Sequence, residues 1–315
     1  MKKWIIGFLI LVLGLFICVY TIIPNIVSSQ NSVSIQTNAQ AFSRIILDDK
    51  SWGKWWPGEV KIDSKNGLPR LSFNGYTYTI VEEKFNSIVL SIEGKNNSAR
   101  TLLNFIPVTQ DSVHLIWLAQ STTSTKPLKR LQLYFKSKDL NNDMDTILVK
   151  MQSFFSKPQN IYGTQIQSTL VSDSLLVSTF ASSKNYPSTE FIYGLISQLK
   201  NYIAGQSAKE TGNPMLHITT ADSTNYLTRV AIPVERRLKP SGNISYKWMM
   251  GGGQILVTEV KGGPAAIHKA FQQMESYVRD HNRTAPAIPF QSLVTDRMKE
   301  RDTSKWITKI YYPVM

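Results

Sequence analysis

The segments TRVAIPV (residues 228–234) and TKIYYPV (residues 308–314) align without a gap, eighty positions apart. Each strings β-branched and apolar residues up to a closing Pro-Val, the composition of a strand. The second lies in the terminal WITKIYYPVM of residues 306–315, a place where chains commonly fray. A strand that recurs at this distance points to a duplicated unit. The same shift sets SLLVSTF (174–180) on QILVTEV (254–260) and Phe191 on Phe271. Between these anchors each half carries a helical pattern, Phe191, Leu195, Leu199 and Tyr202 in the first and Ile267, Phe271, Met274 and Val278 in the second. Pro-started strands follow, PMLHITT (214–220) and PFQSLVT (289–295), now seventy-five apart; a downstream loop five residues longer in the second half restores the eighty. Each half reads strand–helix–strand–strand and has a sheet face it cannot bury alone. Two halves paired edge to edge or face to face about a pseudo-two-fold axis leave a groove at their seam, and such grooves are default ligand sites.

The remaining sequence frames this unit. At 315 residues the chain is long for one domain, and two folded domains are expected. Lys and Arg number 35 against 22 Asp and Glu, a formal charge of +13. The bases are scattered, with no run longer than Arg236–Arg237, and no helix-turn-helix, zinc-finger or RNP-like pattern occurs, so nucleic acid is not an expected partner. A single cysteine, Cys18, excludes an internal disulfide. The histidines His114, His217, His268 and His281 are dispersed, so neither a metal nor another cofactor is expected.

Residues 4–23, WIIGFLILVLGLFICVYTII, form twenty positions without a charge, close to the ~20 that span a bilayer as a helix. Lys2 and Lys3 precede them and the next base is Arg44, which puts the N-terminus in the cytoplasm and the rest outside, in the periplasm or beyond the cell. A cleaved signal would have a shorter apolar core. Residues 1–29 therefore read as an uncleaved single-pass anchor with a short cytoplasmic start.

The first soluble domain is expected over 30–157. VSIQ (33–36) opens it as a strand, and Asn38 caps a helix on which Ala39, Phe42, Ile45 and Ile46 share a face. Trp52, Trp55 and Trp56 follow. A meander then runs through a hairpin at Asn74-Gly75 and through SIVLSIEG, ARTLLNFIPVT, SVHLIWLAQST and LKRLQLYFK. A helix of about four turns closes it, with Leu140, Met144, Ile147, Leu148, Met151 and Phe154 on one stripe. The early helix, the WxxWWP stretch, the meander and the closing helix resemble the START-like, polyketide-cyclase-like (SRPBCC) superfamily. That resemblance implies a helix-grip fold with a cavity for apolar small molecules between sheet and last helix; without a ligand in view, Trp52, Trp55 and Trp56 read as core and rim packing.

The second domain, 160–315, with repeats at about 165–235 and 250–315, resembles the gyrase-inhibitor-like domain that serves as effector-binding module in AraC- and MerR-type regulators. The residues carrying the likeness are Met250 through Val257, Lys261-Gly262-Gly263-Pro264, Phe271 and Tyr277, and Ile307 through Val314. The resemblance implies a groove between the repeats for small, often cationic or aromatic molecules; some relatives hydrolyse small reactive compounds. The family's Glu-x-Tyr after the second helix is replaced by Gln291 and Leu293. An amide orients a ligand but takes no proton at neutral pH. Candidate groove residues are Tyr193, Trp248, Gln291 and Tyr311, with Glu190 and Glu259 as the nearest acids; no catalytic residue is assigned.

The fold class expected is α+β: a transmembrane helix, a helix-grip antiparallel sheet domain, and a duplicated strand–helix–strand–strand domain with pseudo-two-fold symmetry. The expected function is binding of a small hydrophobic or aromatic molecule beside a membrane, in the groove and also in the START-like cavity. The alternatives are a hydrolase of small reactive compounds and a non-enzymatic scaffold. The sequence names no protein partner.

Overall fold

The computed structural model describes residues 2–62, 69–94, 97–172, 174–222 and 225–315. Contacts divide the chain into two compact units, Met1–Ile161 and Tyr162–Met315. Both are built on antiparallel sheets, so the class is α+β.

In the first unit, helix α1 (Lys2–Ile22) takes up the uncharged run. Among the described residues no helix is long and apolar enough to cross a membrane. The anchor expected over 4–23 therefore has no confirmation here, and part of its side chains lies outside the described residues. Trp4, Ile10, Leu11 and Ile17 of α1 are exposed. The end of α1 is clamped by the buried Arg130, whose Nε donates to the Ile23 carbonyl at 3.0 Å and whose Nη1 donates to Asn25 Oδ1 at 2.9 Å. The same guanidinium lies 5.0 Å from the Tyr20 ring centroid.

Strand β1 (Ile26–Ile35) is longer than the expected 33–36. Its sequence lacks clean alternation, but ten successive residues pair with β7 (Ser112–Thr122), and the ladder extends it. Asn38 caps α2 (Ala39–Ile46) by accepting from the Gln40 and Ala41 amides at 3.0 and 3.1 Å. The strands β2 (Glu59–Ile62), β3 (Pro69–Phe73), β4 (Tyr76–Lys84), β5 (Ser87–Gly94) and β6 (Asn97–Thr109) complete a seven-stranded sheet in the order β1-β7-β6-β5-β4-β3-β2. Asn74 and Gly75 take φ of 47° and 80° between β3 and β4, the positive pair that a two-residue hairpin turn requires.

The last helix differs from expectation. LKRLQLYFK is not a strand; it is the first third of α3 (Pro127–Phe155), 29 residues long. Pro127 sits at the helix start, where its missing N–H costs nothing. Arg130, Leu133, Ser137 and Leu140 continue the buried stripe of Met144, Ile147, Leu148, Met151 and Phe155 at helical spacing. Between α3 and the sheet lie the buried rings of Trp52, Trp55, Trp56, Tyr78, Trp117 and Phe155. They form a continuous chain of neighbours, with Trp55 reaching Phe155 at 6.2 Å and Tyr78 reaching Trp117 at 6.3 Å between centroids. These aromatics fill the place where an apolar cavity was expected.

A short helix α4 (Pro158–Tyr162) ends at the boundary of the second unit. That unit contains β8 (Gln167–Leu170), β9 (Ser174–Ser183), α5 (Thr189–Gly205), β10 (Met215–Asp222), β11 (Asn225–Val234), β12 (Ser245–Met249), β13 (Gln254–Lys261), α6 (Pro264–Asp280), β14 (Phe290–Leu293) and β15 (Ile307–Val314). Its sheet has eight strands in the order β12-β9-β11-β10-β14-β15-β13-β8. The two repeats are thus β9-α5-β10-β11 and β13-α6-β14-β15, joined edge to edge at β10 and β14. Met215 pairs there with Ser292, and Leu216 with Gln291.

The duplication holds, with two corrections of register: the ladders equate Val177 with Leu256 and Thr179 with Thr258, so β9 and β13 match seventy-nine and not eighty positions apart. Helix α5 buries Ile192, Ile196, Leu199 and Ile203; α6 buries Ile267, Ala270, Met274 and Val278. Ile192 and Ile267, Leu199 and Met274, and Ile203 and Val278 are all seventy-five apart, so Phe191 is not the counterpart of Phe271. The offset falls before the helix, where β9 is longer and Lys184–Ser188 leads into α5 while only Gly262 and Gly263 lead into α6. Each helix covers its own half of one sheet face and makes its own core.

Candidate functional site

Both helices lie on the same sheet face, and the strip between them at the β10–β14 seam is left open. The result is a groove of about 450 Å³. Ile192 of α5 and Ile267 and Phe271 of α6 form its sides; Leu216, Ile218, Gln291 and Tyr312 form its floor. Strand alternation explains the floor, since each of these residues points to the helix-bearing face.

One end of the groove is polar. The chain between β14 and β15, Val294–Trp306, brings in Arg297 and Trp306, both lining the groove and both buried. Arg297 Nη2 donates to Gln291 Oε1 at 3.3 Å and to Thr308 Oγ1 at 3.0 Å. The guanidinium lies 4.7 Å from the Trp306 ring centroid, a stacked cation–π contact. Burial pushes the Arg297 guanidinium below its ordinary range, an effect opposed by the Tyr193 and Tyr186 phenols.

The segment carrying Arg297 is held at both ends. Thr295 N donates to the Ile307 carbonyl at 3.1 Å, and Ile307 N donates back to Thr295 Oγ1 at 2.9 Å. Arg297 N donates to the Tyr193 hydroxyl of α5 at 2.7 Å. Trp306 Nε1 donates to the Glu300 carbonyl at 2.8 Å. Beside the groove, His217 Nδ1 bonds the Pro289 carbonyl at 2.7 Å. Desolvation lowers the His217 pKa; the bond to Pro289 raises it and nearby Arg229 lowers it further.

A larger concavity of about 1010 Å³ lies on the opposite sheet face. Its lining residues Ser178, Ala231 and Phe290 alternate along their strands with the helix-facing Val177, Val230 and Gln291. Its charged groups, Arg229 and Lys247, are exposed. A site that orients a ligand needs a few convergent polar groups set in an apolar wall. The seam groove meets that requirement with a buried cation; the larger surface does not.

The six residues expected at one site are dispersed. Gln291 alone lines the seam groove. Tyr193 and Glu190 line a separate recess behind α5. Trp248 lines the larger concavity, and Tyr311 stacks on Phe290 on that same side, at 5.0 Å and 12°. Glu259 is exposed and lies 4.0 Å from Lys309. Arg297 and Trp306 were missed, because TDRMKERDTSK reads as a solvated loop. The extra length of that loop was the available signal.

No family model matches the chain, and no curated protein matches it. Among solved structures, the C-terminal domain of EcmrR aligns at 16% identity with a TM-score of 0.42, over 48% of this chain and 98% of that one. SAV2435 bound to tetraphenylphosphonium aligns at 13% and 0.32, over 48% and 94%. A hydrolase from Listeria innocua aligns at 6% and 0.38, over 48% and 92%.

Proposed function

We propose that the chain is a small-molecule (effector) binding protein whose ligand lies in the seam groove of the second unit. The observation that carries this reading is the open strip between α5 and α6, with apolar side chains of both helices and the buried Arg297–Gln291–Trp306 group lining one groove. The duplicated topology supports the effector-binding resemblance drawn from the residues. The START-like reading of 30–157 is supported by the long helix over an antiparallel sheet, but its aromatic filling confines the ligand reading to the second unit. Attachment to a membrane through residues 4–23 belongs to the same proposal, supported by the absence of charge in that run and by the exposed apolar side chains of α1. The soluble units then lie outside the cytoplasm.

The test is a thermal-shift screen of the full chain in lipid nanodiscs against aromatic and amphipathic compounds. A ligand at a hundredfold excess over its Kd stabilises by about 2.7 kcal/mol. Hits should disappear in Phe271→Asp, which places a charge in the groove wall. A library without a hit, or hits indifferent to Phe271→Asp, rejects the groove as the binding site.

A further inference from the structure

We infer that the groove selects oxyanions: its ligand carries a carboxylate or phosphonate-type head on an aromatic or apolar body. This rests on the proposed binding reading and adds the sign of the ligand's charge. Arg297 is 8% exposed, and among the described residues no carboxylate pairs with it. A guanidinium taken out of water without a counter-charge is costly, and such groups are normally paired. Only its Nη2 is used, on Gln291 and Thr308; Nε and Nη1 make no hydrogen bond among the described residues. Both two-bond edges of a guanidinium, Nε–Nη2 and Nη1–Nη2, include Nη2, so the donors left for a carboxylate or phosphate are the separate N–H groups of Nε and Nη1, each able to make a charge-assisted bond.

The other groups around the groove leave this charge standing. Gln291 is neutral and accepts from Arg297 through Oε1. Asp296 points away to Lys299, 3.8 Å distant. Glu275, the one acid among the lining residues, is exposed on α6; burial first, and Glu275 second, raise the pKa of the Tyr312 phenol. His217 is held toward its neutral form by desolvation. The apolar walls of Ile192, Ile267 and Phe271 start beside the cation, so an anionic head and a hydrophobic body are accommodated together.

The test uses the full chain in phosphatidylcholine nanodiscs and calorimetric titration with four probes of one shape: 4-biphenylcarboxylate, 4-biphenylphosphonate, biphenyl-4-carboxamide and biphenylmethyl-trimethylammonium, with empty nanodiscs subtracted. Either oxyanion should bind tighter than the amide by about tenfold to hundredfold, the worth of a hydrogen bond to a charged group. The preferred oxyanion tells carboxylate from phosphate-type ligands. Arg297→Gln should bring the ratio to near one. The unsubstituted chain decides the matter even if Arg297→Gln fails to fold, because a purely structural arginine does not rank probes by charge. Amide or ammonium bound as tightly as the oxyanions overturns the inference while leaving small-molecule binding in place. Binding of none of the four overturns both.

Discussion

The two repeats of the second unit place buried threonines at matching points of their ladders and then treat them differently. In the first repeat Thr179 and Thr228 are 2% and 0% exposed, and neither hydroxyl has a hydrogen-bond partner. In the second, Thr258 and Thr308 are equally buried at 2% and 0%, yet Thr258 bonds Thr164 at 2.6 Å and Thr308 accepts from Arg297 at 3.0 Å. The partners come from outside the repeated elements: Thr164 precedes β8, and Arg297 belongs to the segment between β14 and β15. In the first repeat β10 ends at Asp222 and β11 begins at Asn225, whereas the second spends Val294–Trp306 on the same connection. The shared frame is what duplication retained. The long connection of the second repeat brought the groove its charge.

The largest effect expected from breaking this pairing is loss of β15. The strand lies between β14 and β13 and buries Ile310 and Val314 at 0% and 2%. Deleting residues 306–315 should abolish cooperative melting of the second unit in calorimetry; a truncated chain that keeps both transitions would contradict the assignment of β15 to the sheet interior. Next comes the threonine contrast. Thr308→Val strips an acceptor from a buried cation and should destabilise by about 1.5–3 kcal/mol. Thr228→Val and Thr179→Val remove orphaned hydroxyls of the same shape and should be neutral or stabilising. Denaturant melts that gave all three the same sign would end the comparison.

A similar magnitude is expected at the short second connection. Gly262 has φ of 135°, and a Cβ there would lie 2.9 Å from that of Ala266. Gly262→Ala should cost about 1–3 kcal/mol, while Lys184→Ala, at an exposed position of the longer equivalent, should be tolerated. Tyr193→Phe removes the hydroxyl that accepts from Arg297 N, a loss of about 0.5–1.5 kcal/mol. It should also weaken oxyanion binding through a misplaced Arg297, leaving the affinity of the neutral amide unchanged.

The smallest effect is one of pH. His217 stands where the second repeat has Ser292, seventy-five residues on. Its folded pKa is lowered, chiefly by desolvation, so below the ordinary value near 6.5 the unfolded chain binds the proton more readily. Stability from this group is present above about pH 6.5 and declines as the pH falls through the folded pKa. His217→Asn should flatten that part of the melting-temperature profile; an unchanged slope would show that other groups set it.

Much of the fold was legible because repetition amplifies weak signals. A single seven-residue match says little, but matches in three strands and a helix pattern imply a frame. The helix register was misread because Phe191 and Phe271 fall eighty apart by coincidence, while the buried faces are set by Ile192 and Ile267. LKRLQLYFK was misread because its apolar residues serve a strand or a helix equally well; Pro127 was the cue that decided it. The site was the least legible part. Aromatic residues were grouped by type, whereas strand alternation and helix faces dispersed them over opposite sides of one sheet. Gln291 was found through the family resemblance, which places an acid at that point of the strand after the second helix. Arg297 could not be found by periodicity, since its position depends on a loop folded back by side-chain bonds to Thr295 and Tyr193.

The antiparallel pairing of β10 with β14 has a consequence for symmetry. Two identical, separate copies of a repeat could join by the same edge, with a true two-fold axis through the seam. Every addition to one copy would then appear twice, and a loop bearing an arginine would bring two like charges into one narrow trough. Joining the copies in one polypeptide removes that constraint. The connection can lengthen on one side alone, so a ligand entering the trough meets a head end and a tail end in place of two equal halves.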